Sequence, residues 1–117
     1  MALEFIIIPT EPLTISLTGD LTLGPQLRDF SRKTHALLAQ QPPKGLILHL
    51  GGIHQIDSAG LGELVILYTT TTQRGGRFCL AEPTPRIVRL LESTKLAGLF
   101  PLFPNAAAAL HWLNSIP

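Results

Sequence analysis

Residues 46–50 read Leu-Ile-Leu-His-Leu, an apolar run with one polar side chain, set between a Pro-Pro-Lys-Gly stretch and a Gly-Gly pair. A strand this apolar suits a position where both faces are covered, as in the middle of a parallel sheet. The segment before it, from Pro25 to about Gln40, places Leu27, Phe30, Leu37 and Leu38 on one helical face, with Thr34 filling the gap. Pro25 suits a first helical turn, where its missing N–H costs nothing. A helix leading into a buried strand is the parallel crossover unit, and it directs the chain toward an α/β architecture.

The flanking segments fit that scheme. "EFIIIP" (4–9) and "LTISLT" (13–18) are rich in β-branched residues and are joined by "TEP", which predicts an N-terminal hairpin whose second strand ends at Gly19–Asp20. "GGIHQI" (51–56) reads as the exit loop of the central strand. From Ser58, the residues Leu61, Leu64, Val65 and Tyr68 recur at helical spacing, the threonines at 69–72 weaken the end, and Gly75–Gly76 supply a stop. "RFCLA" (77–81) is a further strand, and Thr84–Pro85 starts a short helix with Ile87, Leu90 and Leu91 on its inner face. "LFPLF" (99–103) is strand-like, but Pro101 confines it to a sheet edge. Asn105 caps a last helix with Ala106, Ala109, Leu110 and Leu113 inward. The predicted order is β-β-α-β-α-β-α-(β)-α: an α/β fold with a mixed sheet, an N-terminal β-hairpin and about four helices.

Size and charge narrow the function. The 117 residues form one domain, residues 1–117, and with hydrophobic residues at 45% the core needs no disulfide or metal staple. The lone Cys79 reads as a buried strand thiol, and a reducing, cytoplasmic setting is expected. Nine Lys and Arg against eight Asp and Glu give +1, so no nucleic-acid or anionic-lipid partner is implied. No segment approaches the ~20 apolar residues of a membrane span. "MALEFIII" has no basic residue ahead of its apolar run and does not read as a secretory signal.

The stretch that points to function is "IHQIDSAGLGELV" (53–65). Asp57 or Ser58 serves as an N-cap, its side chain accepting a free backbone N–H. Gly60 and Gly62 each cost about 1 kcal/mol against alanine inside a helix. Their presence implies that the helix packs closely on its own sheet or that another molecule approaches the backbone there. With Ala59 also small, the helix start offers a flat surface beside a hydroxyl, better suited to docking than to chemistry. A phosphate on Ser58 would add about −1.5 to −2 charge, favoured by the helix N-terminus and opposed by Asp57, and would block close approach.

Enzymatic readings find less support. The G-x-S-x-G elbow is missing around Ser58, no phosphate-binding P-loop is present, and "GDLTLG" is not a dinucleotide fingerprint. His35, His49, His54 and His111 show no metal-ligand spacing. The chain is therefore expected to be neither an enzyme nor a cofactor or metal binder.

The run Asp57-Ser58-Ala59-Gly60-Leu61, with Leu64 after it, the "LTGDL" segment (17–21) and the late "PRIVRLLESTKLAGLF" tail together resemble the STAS domain, in its stand-alone bacterial anti-sigma factor antagonist form. That resemblance implies that Ser58 is phosphorylated by a serine/threonine kinase that is itself the anti-sigma factor. It implies that the unphosphorylated protein binds this kinase and frees the sigma factor, and that a phosphatase resets the switch. Asp20, Asp57, Ala59, Gly60, Leu61 and Gly62 are the partner-binding candidates. Family members often carry an acidic or other polar residue where Thr22 stands, and a second serine where Ala59 stands, which leaves Ser58 the sole hydroxyl of the motif. The alternative is a non-enzymatic accessory subunit docking on a transporter ATPase or a signalling assembly, with Ser58 only a helix cap. Oligomeric state stays open.

Overall fold

In the computed structural model, which describes residues 1–115, the elements run β1 (Glu4–Ile8), β2 (Leu13–Leu21), α1 (Pro25–Gln40), β3 (Gly45–Ile56), α2 (Ser58–Gln73), β4 (Arg77–Ala81), α3 (Pro85–Ser93), β5 (Leu102–Phe103) and α4 (Ala106–Asn114). The sheet has the order β1-β2-β3-β4-β5. The first pair is antiparallel and the rest are parallel. The predicted hairpin, mixed sheet and four helices are all present, and β5 lies at the sheet edge as Pro101 requires.

The central strand is covered on both sides. Leu46, Leu48 and Leu50 enter the main core, which α1, α2 and α3 close with Phe30, Leu38, Leu64, Leu67, Ile87 and Leu91. Ile47 points the other way, into a smaller cluster with Cys79, Ala81 and Ala109 under α4. Burial pushes the Cys79 thiol up to about 12, which keeps it protonated and unreactive.

Several boundaries differ from the sequence reading. β2 does not end at Gly19–Asp20 but passes through them to Leu21. Gly19 takes φ +94, and the β2–β3 register shifts between Gly19 and Asp20, so a bulge carries the strand on. "GGIHQI" is not a loop: it extends β3, because Asp20 and Leu21 pair with Gln55 and Ile56. His54 is therefore an exposed strand residue. The threonines at 69–72 lie inside α2, with the Thr72 hydroxyl donating to the Tyr68 carbonyl at 2.9 Å. The most buried stripe of that helix is Gly60, Glu63, Leu64, Leu67 and Thr71, while Leu61, Val65 and Tyr68 flank it half-buried. In α4, Ala109 and Leu113 face inward as expected, but Ala106 and Leu110 face outward, and Trp112 joins the inner contact. Trp112 is drawn in by Phe103, with ring centroids 5.3 Å apart, and by the Arg77 guanidinium, 3.6 Å from its ring centroid.

Candidate functional site

The lengthened ends of β2 and β3 position the start of α2. Asp57 follows β3 directly, and its backbone N–H donates to the Leu21 carbonyl at 3.3 Å, tying the helix start to the end of β2. Asp57, and not Ser58, is the N-cap. Its Oδ1 accepts the Gly60 N–H at 2.9 Å and its Oδ2 accepts the Leu23 N–H at 2.9 Å. One carboxylate thus caps α2 and fixes the loop between β2 and α1. Those two N–H donors, Leu23 first and Gly60 next, hold the Asp57 carboxyl below the usual carboxylate range.

Relieved of capping, Ser58 is the first residue of α2 and is exposed. Among the described residues its hydroxyl makes no side-chain hydrogen bond. The two glycines divide the roles open to them. A Cβ on Gly60 would collide with the Leu21 carbonyl oxygen, so this glycine lets the helix rest on β2, and it is buried. Gly60 is therefore not part of an accessible surface, contrary to the expectation that a partner reaches it. A Cβ on Gly62 would meet nothing within 4 Å, so here the bare backbone faces open space.

Ala59 and Leu61 are half-buried against the main core, which places them at the margin of the surface. Asp20 lies on the β2 bulge, where its carboxylate takes the Met1 ammonium at 2.9 Å. It is brought to the same end of the sheet as Asp57 but shares no hydrogen bond with it among the described residues. Two residues escaped the sequence reading. Leu23 is 71% exposed although its backbone is pinned by Asp57, and Ile66 is 51% exposed on the row Ser58, Gly62, Ile66, each four residues from the next. The signal for Ile66 was an apolar residue outside the inward stripe of its helix. Ser58, Gly62 and Ile66 thus share one face of α2, and the exposed Leu23 is tied through its backbone to the Asp57 that opens this helix.

Elsewhere, the His49 Nδ1 lies 3.0 Å from the Glu82 Oε1, and the His35 Nε2 lies 2.9 Å from the Glu63 Oε2. No group of three or more potential ligands forms a metal site among the described residues. No described helix is long and apolar enough to cross a membrane.

The STAS domain model matches residues 7–109. The chain belongs to the STAS domain family. It is 31% identical over 71 residues to the anti-sigma F factor antagonist of Paenibacillus polymyxa, and 30% identical over 66 residues to a relative in Thermotoga neapolitana. Those matches cover 61% and 56% of this STAS chain, and it spans only 61% and 58% of the length of the two curated relatives. The fold is that of the anti-sigma factor antagonist SpoIIAA in its unphosphorylated form, with a TM-score of 0.81, 18% identity and 99% of each chain covered. The phosphorylated form of the Bacillus SpoIIAA gives 0.74 at 18% identity over 95% of this chain and 100% of that one. A sulfate transporter family protein from Wolinella succinogenes gives 0.73 at 17% identity, over 87% of this chain and 84% of that one.

Proposed function

We propose that this STAS protein acts as an anti-sigma factor antagonist-type regulator, docking a serine/threonine kinase-type anti-sigma factor and released by phosphorylation of Ser58. The observation that carries the reading is the division of labour at Asp57-Ser58. Asp57 takes both structural hydrogen bonds, and Ser58 is left exposed on a surface that includes Leu23, Gly62 and Ile66. A phosphate there would add about −1.5 to −2 charge beside the Asp57 carboxylate. It would tolerate the helix N-terminus, so the fold would persist while the apolar surface lost its complementarity to a partner. A phosphatase would restore it. The anti-sigma F factor antagonist named above, and SpoIIAA with its unphosphorylated and phosphorylated forms, support the same reading.

The transporter-accessory alternative draws on the shared fold of the Wolinella protein, but its premise of Ser58 as a helix cap is not favoured, because Asp57 holds that position. The test is incubation with candidate kinases and ATP, followed by mapping of the modified residue. Phosphate on Ser58, lost in Ser58→Ala, is the expected result. Phosphate confined to another residue, with Ser58→Ala unaffected, would remove the reading.

A further inference from the structure

The helix α3 has two working faces. Ile87 and Leu91 enter the core, while Arg86, Arg89, Leu90 and Ser93 follow a second stripe at helical spacing. That second stripe does not simply face bulk solvent. With Gln55 and Ile56 from the end of β3 it lines a half-open cavity of about 410 Å³. Its lining combines apolar side chains, Ile56, Ile87 and Leu90, with two arginines, Arg86 and Arg89.

Arg86 is not placed for the stability of its helix. Arg86 lies in the first turn, where a cation opposes the helix dipole and where α3 has no acidic residue. Arg89, three residues on, adds a like charge on the same face, which is unfavourable in an isolated helix. Among the described residues neither guanidinium forms an ion pair, and Glu92, the acid of this helix, does not line the cavity. Glu82 is engaged with His49. The Ser93 hydroxyl donates to the Leu90 carbonyl at 3.0 Å, leaving its oxygen lone pairs free to accept. Two cations without an ion-pair partner, lining one cavity together with apolar side chains, are complementary to one chemistry: an oxyanion carried on an apolar body. The volume lies within the range of small-molecule sites, roughly 300–1,000 Å³.

We infer that the cavity between α3 and the end of β3 is a binding site for a small amphipathic oxyanion, a carboxylate or phosphate bearing an apolar group. Arg86 and Arg89 hold the oxyanion, and Ile56, Ile87 and Leu90 receive the apolar part. Gln55 and Ile56 run directly into Asp57 and Ser58, so an occupant would sit beside the start of α2. The inference does not depend on phosphorylation of Ser58.

The test is an NMR titration of the ¹⁵N-labelled full chain with phenyl phosphate and with benzoate, against inorganic phosphate and benzyl alcohol as half-ligands. Saturable shifts centred on the amides of residues 55–56 and 86–93 are expected with phenyl phosphate or benzoate. Each half-ligand is expected to bind about tenfold more weakly, since it forgoes either the charge-assisted hydrogen bonds or the apolar contact. The double variant Arg86→Gln/Arg89→Gln, whose dispersed spectrum reports an intact fold, is expected to lose at least about tenfold in affinity. Shifts centred elsewhere, shifts unchanged in that variant, or no saturation with either probe would overturn the inference.

Discussion

Asp57 and Leu23 lie 34 residues apart in sequence, yet the Oδ2 of the first accepts the backbone N–H of the second at 2.9 Å, while its Oδ1 caps α2 through Gly60. Asp57→Ala removes both acceptors. Loss of a cap costs about 1 kcal/mol, and an orphaned loop N–H adds to that, so a total loss of about 1–2 kcal/mol is expected in urea denaturation. Asp57→Asn is not conservative here. Its one oxygen can keep the Gly60 cap, but its amide then turns an N–H₂ toward the Leu23 N–H. Faster hydrogen exchange at Leu23, with Gly60 still protected, is the expected signature.

The same carboxylate sets a pH dependence. Its pKa is lowered in the folded protein, by the Leu23 N–H first and the Gly60 N–H next. A group depressed on folding stabilises above its unfolded value, about 3.9 for aspartate, and that contribution fades as pH falls through the folded value. The stability gap between the parent and Asp57→Asn should therefore be constant near neutral pH and close on acidification below about pH 4. A gap that widened in acid, measured by denaturation across that range, would contradict the assignment of the shift.

What the sequence disclosed, and what it hid, follows from where the determining contacts lie. The apolar run at 46–50, the caps Thr84 and Asn105, and the edge position of β5 are local signals, and all three caps, Asp57 included, take a backbone N–H three residues on. The extension of β3 through Gly51–Ile56 was illegible because its cause is the bulged partner strand at Asp20 and Leu21, not its own composition. The inner face of α4 was only partly legible: Ala109 and Leu113 were placed correctly, but Trp112 was missed because it is held by Arg77 and Phe103, outside its own helix. At the candidate site the motif from Asp57 to Gly62 was visible. Which of Asp57 and Ser58 capped the helix, and which glycine packed, depended on Leu21 and Leu23.

The contrast between Gly60 and Gly62 can be measured. A methyl on Gly60 would collide with the Leu21 carbonyl oxygen, and backbone cannot swing aside as a side chain does. Gly60→Ala should destabilise by about 1–3 kcal/mol, the usual range for overpacking. Gly62→Ala, with open space around it, should instead gain about 0.5–1 kcal/mol from helix propensity. Opposite signs in thermal or chemical unfolding are the expected outcome; equal effects would refute the division.

A buried carboxylate joins α1 to α2. Glu63 is 7% exposed and meets the His35 Nε2 at 2.9 Å. His35→Ala leaves that carboxylate without its partner and should cost about 1–3 kcal/mol. Replacing both residues with apolar side chains of similar volume should recover most of the loss, because the desolvated charge disappears with its partner. A double-mutant cycle in urea checks this; additive losses would mean that the two side chains do not couple.

Ser58→Glu separates folding from docking. The residue opens α2, is exposed, and among the described residues bears no hydrogen bond that the substitution would break. A negative side chain in a first turn is stabilising by about 0.3–1 kcal/mol on its own, and repulsion from Asp57 offsets part of that. Urea stability should therefore stay within about 1 kcal/mol of the parent, since surface changes away from special contacts rarely do more. Binding to the kinase-type partner should fall sharply, as should binding of Ile66→Glu, which places a charge on the same surface two helical turns on, while Ser58→Ala should bind normally. If Ser58→Glu unfolded the chain, the serine would be structural; if it folded and bound as well as the parent, the surface around Leu23, Gly62 and Ile66 would not be where the partner sits.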